Sequence, residues 1–202
     1  AAAFERATFT VPKWTGPVPN DPETIAFLPA HRLSALIRER KLTSTQVTRI
    51  YLDRIKRLDP QLLCAVTIME EQAMADAAKA DAEIKAGKYR GPLHGIPYGV
   101  KDLFSTKGVR TTWGSADFEN RTIDDDAEVV VRLRDAGAVL MAKLATGLFA
   151  QGDQWYRGRT NNPWDLRRGS SGSSAGPSSA TAAGCVAFGI GTETSGSIVS
   201  PA

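Results

Sequence analysis

The sequence predicts an α/β fold built on a largely parallel β-sheet, and three observations support that class. After Gly91 and Pro92, short apolar runs typical of buried strands alternate with segments of helical periodicity. Glycines follow several of the helical segments, at the position where helices often end. The chain has 202 residues, 42% of them hydrophobic, so it can bury such a sheet without disulfides or a structural metal.

The first part of the chain is predicted to be an arm followed by helices. Residues 1–30 contain five prolines and scattered aromatic residues, which favours an extended N-terminal arm. From His31 onward, apolar residues recur at helical spacing. Thr43 and Gln46 are spaced as in a capping box, which predicts the start of a second helix, and Pro60 is expected to end that helix.

Strands and helices then alternate. A β-like run covers residues 65–68, and an alanine-rich helix with an acidic start is predicted over 70–86. Further along, strands are predicted over 96–100 and 138–142, with a helix over 127–136 between them. This order is typical of βαβ units.

Residues 169–202 differ in composition from the rest. Of these 34 residues, 25 are Gly, Ser, Ala or Thr, and Glu193 carries the only charge. One interpretation is a flexible linker. The other, which the interleaved apolar residues favour, is a tightly packed site where the backbone approaches a ligand closely.

Charge and cysteine content exclude several classes of protein. The 25 basic and 22 acidic residues are interspersed and give a net charge of +3, which argues against a nucleic-acid partner. Cys64 and Cys185 have no zinc-ligand spacing, and Cys185 is expected to be a small core residue. No apolar stretch approaches the ~18 residues of a membrane helix. We expect a cytoplasmic enzyme, with export after removal of a targeting segment as the alternative.

The serines are candidate nucleophiles, but a serine needs a base and a site for developing negative charge. The only histidines, His31 and His94, are expected at a helix start and in a loop, so neither is favoured as the base. A lysine with a pKa lowered by burial is the remaining choice. Lys101 directly follows the predicted strand over 96–100, where α/β proteins place their sites. The alternative is a surface lysine paired with Asp102.

Four segments carry a resemblance to a known family. They read GIPYGVKDLFSTKGVRTTWGS, GAVLMAKL, NNPWDLRRGSSGSSAG and GTETSGSIVSPA. In order and spacing they resemble the amidase signature family, and the similarity extends from about Leu28 to the end. The resemblance implies a mixed, largely parallel sheet covered by helices, with residues 31–202 as the N-terminal portion of one catalytic domain. It also implies cleavage of carboxamides through an acyl-enzyme, with no metal or organic cofactor.

The family's Ser-cisSer-Lys triad is carried over by motif. Lys101 of the KD segment is the base, and Ser197 of GSI is the nucleophile. Ser173 is the bridging serine, 24 residues before Ser197, and the family holds it on a cis peptide after Gly172. Ser171 is the position that an error of register in this serine-rich loop would select instead.

The residues before the nucleophile are expected to bind the oxyanion. Thr194, Ser195 and Gly196, together with Ser197, would present backbone N–H groups to the tetrahedral intermediate. Glu193 is interpreted as a structural acceptor of hydrogen bonds rather than as a catalytic group.

The same segment separates two enzyme classes within the family. The family's tRNA-dependent amidotransferase members commonly read GTDTGGSIR, whereas this chain has Glu193, Ser195 and Val199, which favours a stand-alone amidase. The alternatives are the glutaminase-type component of that amidotransferase and a non-catalytic module that retains the fold.

The expected partners are a small-molecule amide, the remainder of the catalytic domain and a second copy in a homodimer. Three aromatic side chains are interpreted as packing residues rather than as pocket walls: Trp155, Tyr156 and Trp164.

Overall fold

A four-stranded mixed sheet forms the centre of this computed structural model, which describes residues 9–202; the first eight residues of the predicted arm lie outside the described residues. The helices are α1 (Pro22–Ala26), α2 (Ala30–Arg38), α3 (Ser44–Leu62), α4 (Glu70–Lys85), α5 (Glu128–Asp135) and α6 (Ala175–Ala182). The strands are β1 (Ala65–Ile68), β2 (Pro97–Lys101), β3 (Val139–Leu144), β4 (Gln154–Trp155), β5 (Gly158–Arg159), β6 (Asn161–Asn162), β7 (Asp165–Gly169) and β8 (Phe188–Ile190). Two short 3₁₀ helices span Ala116–Phe118 and Leu148–Ala150.

The strand order in the central sheet is β1-β3-β2-β8. β2 pairs in parallel with both β3 and β8, whereas β1 pairs antiparallel with β3. The carboxyl ends of β2, β3 and β8 therefore meet at one edge, where α/β proteins bind their ligands. In register, Lys101 at the end of β2 lies opposite Leu144 of β3. The prediction of an α/β fold with a largely parallel sheet is confirmed.

The capping box at the start of α3 is present. The Thr43 hydroxyl accepts a hydrogen bond from the Gln46 backbone N–H, and the Gln46 side chain accepts one from the Thr43 N–H. The prediction that Pro60 ends this helix is wrong, because α3 continues to Leu62. Pro60 lies in the last turn, where its missing N–H removes a single bond of the helix, and Leu63 closes the turn in the left-handed conformation.

The predicted arm is not extended throughout. Asp21 caps α1 by accepting a hydrogen bond from the Thr24 backbone N–H, and Pro22 occupies the first turn, where proline is well tolerated. Ile25 and Ala26 of α1 are buried, so this part of the arm packs on the body. A proline-rich composition hid the helix because the same residue that breaks helices also favours their first turn.

Apolar side chains pack on both faces of the sheet. The larger cluster joins α2, α3 and α4 to residues such as Met141 and Leu144 of β3. The smaller one packs Val130 of α5 against Tyr98 and Leu140. Burial of each large aliphatic side chain contributes about 1.5–3 kcal/mol. None of the helices in residues 9–202 is long and apolar enough to cross a membrane.

Residues 169–202 form packed structure rather than a linker. They contain α6 and β8, and Cys185 between them is fully buried, as expected of a small core residue. Among the aromatic residues, Trp155 is buried and packs edge-to-face against Tyr156. The packing interpretation is wrong for Trp164, which is 83% exposed at the turn between β6 and β7.

The capping box is open to a direct test of stability. We expect Thr43→Ala to lower the free energy of unfolding by about 1 kcal/mol, because the Gln46 N–H loses its acceptor. Urea denaturation of the natural polypeptide that contains these residues measures the change. Thr43→Ser keeps the hydroxyl and serves as the control; an equal loss in both variants would show that the cap contributes little.

Candidate active site

Lys101 is the last residue of β2 and its side chain is fully buried. The surface-lysine alternative is therefore wrong, and Asp102 is not its partner. Successive side chains along a strand point to opposite faces, so Lys101 and Asp102 enter different environments. The Asp102 carboxylate lies 2.8 Å from the ammonium of Lys143 on the neighbouring strand.

Three hydroxyl groups surround the Lys101 amine. Its Nζ lies 2.8 Å from Ser173 Oγ, 3.1 Å from Ser174 Oγ and 2.7 Å from Thr192 Oγ1. Burial lowers the pKa of Lys101 to about 8, and the negative charge of Glu193 opposes this shift. At neutral to mildly alkaline pH the amine can thus exchange between its charged and neutral forms, which a proton-transfer group requires.

Ser173 links the lysine to Ser197. The Ser173 Oγ lies 3.1 Å from Ser197 Oγ, and a backbone bond from the Ser174 N–H to the Ser197 carbonyl, 2.9 Å long, holds the two loops together. The peptide bond between Gly172 and Ser173 is cis, as the resemblance implies. Lys101, Ser173 and Ser197 form one continuous chain of contacts. Ser171 lies outside it, with its Oγ 2.7 Å from Ser200 Oγ.

Gly172 lets the serine loop approach its neighbour closely. A Cβ at this position would lie 2.0 Å from the carbonyl oxygen of Gly152, so no side chain fits without displacing backbone. This close approach fixes the path of the chain just before α6, which begins directly after Ser173 and Ser174.

Glu193 organises residues 193–199, which carry the predicted nucleophile Ser197 and are named the nucleophile loop. Its two carboxylate oxygens accept hydrogen bonds from the backbone N–H groups of Gly196, Ser197, Ile198 and Val199. These bonds lower the pKa of Glu193 to about 2, with those from Ile198 and Val199 the strongest contributors. The interpretation of Glu193 as a structural acceptor agrees with this geometry.

The same carboxylate changes the expected oxyanion site. The N–H of Gly196, expected to face the oxyanion, donates to Glu193 instead, as does that of Ser197. An acidic side chain three residues before an N–H is well placed to capture it, as at a helix N-terminus. The N–H groups of Thr194 and Ser195 make no hydrogen bond within the part of the chain that the structure describes. The left-handed residue in this turn is Gly196, with φ of 108°, so Ser195 replaces a glycine without a strained φ.

Sequence reasoning missed Ser174 and Thr192. Ser174 Oγ donates to the Thr192 carbonyl and accepts from the Thr192 N–H, so its only hydrogen is committed and it accepts from Lys101. Hydroxyl residues are abundant in this stretch, so composition does not distinguish Ser174 or Thr192 from their neighbours. The one signal that could have found Ser174 is its position next to Ser173. His94 is buried away from this site, where its Nδ1 accepts from the Arg90 N–H.

Comparisons with known proteins identify the family of the chain. The sequence matches the Amidase family over residues 46–202. It is 40% identical over 176 residues to the A subunit of the glutamyl-tRNA(Gln) amidotransferase of Heliobacterium modesticaldum, covering 86% of this chain and 36% of that protein. The corresponding protein of Syntrophus aciditrophicus is 42% identical over 179 residues, with 87% and 36% covered. The chain thus spans little more than a third of the length of these curated relatives.

Solved structures give the same result. The native peptide amidase of Stenotrophomonas maltophilia superposes with a TM-score of 0.83 at 38% identity, over 87% of this chain and 38% of that one. A fatty acid amide hydrolase superposes with a TM-score of 0.85 at 27% identity, over 92% and 33%. The chain belongs to the amidase family.

The lowered pKa of Lys101 predicts the pH dependence of serine reactivity. We expect the rate at which Ser197 reacts with a fluorophosphonate to rise with pH and to level off above about pH 8, because only the neutral amine accepts a proton. Stopped-flow labelling of the natural polypeptide measures this rate, and Lys101→Met should remove the dependence. A wild-type rate that stays constant from about pH 6 to about pH 9 would contradict the assignment.

Proposed function

We propose that the protein is an amidase that hydrolyses the carboxamide bond of a small-molecule or peptide-like amide through an acyl-enzyme on Ser197. The observation that carries the proposal is the unbroken series of contacts from the buried Lys101 through Ser173 to Ser197. Each distance in it is within hydrogen-bonding range.

The first step is attack of Ser197 Oγ on the amide carbonyl. Its proton passes to Ser173, whose own hydroxyl proton passes to the neutral Lys101 amine. Hydroxyl hydrogens rotate freely, so the same two contacts serve a proton that moves in either direction. The N–H groups of Thr194 and Ser195 bind the oxyanion, and each such donor is worth about 3 kcal/mol of barrier.

The second step is release of the amine. Lys101, now charged, returns its proton through Ser173 to the leaving nitrogen as the C–N bond breaks. Water then attacks the acyl-enzyme and gives a proton through Ser173 to the neutral Lys101. Return of that proton through Ser173 to Ser197 Oγ, as the ester bond breaks, frees the acid. The residues involved need no metal or organic cofactor for these steps.

The proposal extends to partners and location. We infer a cytoplasmic enzyme that works on its amide without nucleic acid or membrane, with residues 31–202 as the N-terminal portion of one catalytic domain. The relatives with solved structures include a peptide amidase, which supports a substrate of that kind.

Substitution of the three residues tests the mechanism. We expect Ser197→Ala and Lys101→Ala each to lower kcat/KM for aryl amides by about a thousandfold or more, because the first removes the nucleophile and the second removes the base that takes its proton. Ser171→Ala is the matched control, because it changes a neighbouring serine outside the relay and should retain activity. Full turnover by Ser197→Ala, or inactivation by Ser171→Ala equal to that of Ser173→Ala, would refute the assignment.

A second candidate function is that of the A subunit of a tRNA-dependent amidotransferase, because the curated relatives at 40% and 42% identity carry that name. Glu193, Ser195 and Val199, which depart from the usual motif of those proteins, favour the stand-alone enzyme. We expect the purified natural polypeptide to hydrolyse simple amides without tRNA or further proteins. Activity that appears only with tRNA and co-purifying proteins would select the amidotransferase. Failure of Ser197 to react with a fluorophosphonate would select a non-catalytic module.

A further inference from the structure

Two lysines are fully buried on neighbouring strands of the sheet, and their surroundings differ. Among the described residues, the Lys101 amine at the end of β2 makes hydrogen bonds to hydroxyl groups alone. Lys143 on β3, aligned with Val100 of β2, has a carboxylate partner. The proposed mechanism uses the first lysine and gives the second no task.

Lys143 contacts two hydrogen-bond acceptors and one carboxylate. Its Nζ donates to the Arg110 carbonyl at 3.1 Å and to Thr111 Oγ1 at 2.9 Å, and lies 2.8 Å from Asp102 Oδ1. The first two contacts are hydrogen bonds, and the third is an ion pair by distance, in which the nearby carboxylate favours the charged form of the amine. Burial lowers the pKa of Lys143 and the Asp102 carboxylate opposes that effect.

Asp102 is equally constrained. Its second oxygen accepts hydrogen bonds from the Thr112 N–H at 2.9 Å and from Thr112 Oγ1 at 2.5 Å. Its backbone N–H donates to Leu144 across the sheet, and its carbonyl accepts from Trp113. The residue that directly follows Lys101 is thus fixed by its side chain and by its backbone.

We propose that Lys143 is a positioning residue that engages the buried Asp102 carboxylate, so that Lys101, one residue earlier, acts as a base without a carboxylate partner. The proposal rests on the proposed role of Lys101. With the ion pair intact, the pair has no net charge, and Glu193 on the nucleophile loop is the acidic group that raises the pKa of Lys101.

Loss of Lys143 would leave a buried carboxylate beside the base. Uncompensated, that charge favours the ammonium form of Lys101, and a larger fraction of the enzyme is then inactive at neutral pH. The other groups that face the pair are Arg121, whose charge adds to the lowering of the Lys143 pKa by burial, and Tyr156, whose pKa is raised by burial and further by the Asp102 charge. Neither makes a hydrogen bond to the Lys101 amine.

Charge-changing variants of the natural full-length polypeptide test the proposal. The acid limb of the pH profile is the rise of kcat/KM with pH as Lys101 loses its proton. We expect Lys143→Met to move the midpoint of this limb to higher pH by about one unit. Asp102→Asn leaves Lys143 unpaired and should move the limb in the opposite direction. The double variant Asp102→Asn with Lys143→Met removes both charges and should return the limb to its wild-type position, while Ser171→Ala, which changes no charge and lies outside both lysine environments, should leave it unmoved.

The signs of these shifts decide the outcome. If the pair serves only stability, its loss in the single variants would lower the melting temperature without moving the acid limb. That result would overturn the proposal. So would shifts of the same sign in the two single variants. If Lys143→Met fails to fold, Asp102→Asn should still move the limb downward while the double variant leaves it at the wild-type position, and a limb that Asp102→Asn leaves unmoved would overturn the proposal. Loss of the acid limb in Lys101→Met confirms the base separately, and an acid limb that survives in Lys101→Met would refute the proposed function itself.

Discussion

The burial of the Lys101 amine among hydroxyl groups, with no carboxylate of residues 9–202 in contact, is the constraint on which the rest of the site depends. A buried ammonium loses solvation that three neutral hydroxyls replace only in part, so its proton is held less tightly than in water. Those hydroxyls come from two separate segments, the loop before α6 and the residues after β8. The parallel pairing of β8 with β2 is what brings the second segment to the lysine.

Glu193 balances two demands on the nucleophile loop. Its carboxylate gathers four backbone N–H groups and thereby fixes the turn that carries Ser197. The same charge raises the pKa of Lys101 and so limits how far burial can lower it. Because two of the captured N–H groups are those of Gly196 and Ser197, fewer donors are left for an oxyanion. A loop of small residues tolerates this density of backbone bonds because few side chains obstruct it.

Much of the fold follows from local patterns, and the exceptions have identifiable causes. Periodicity and turn residues place β1 and the capping box of α3 correctly, since both are local signals. The scarcity of histidine and the place of Lys101 after a strand make it a candidate, but these two signals leave a surface lysine open and only the family resemblance selects it. Thr192 and Ser174 cannot be selected in this way, because hydroxyl side chains are abundant in residues 169–202 and only the strand order shows which of them face the lysine. The ion-pair partner of Asp102 cannot be predicted from the sequence either, because it depends on which strand lies next to β2.

The position of β2 between β3 and β8 explains how two consecutive charged residues can have opposite roles. In a strand flanked on both sides, successive side chains enter two separate buried environments. One face of β2 at its carboxyl end meets the serine and threonine hydroxyls, and the other meets Lys143 and Thr112. On an edge strand, a lysine and the aspartate that follows it could both reach solvent and pair with each other there. In the interior of the sheet the pleat separates them, and the separation leaves the lysine without a counter-ion in contact among the described residues while the aspartate acquires one.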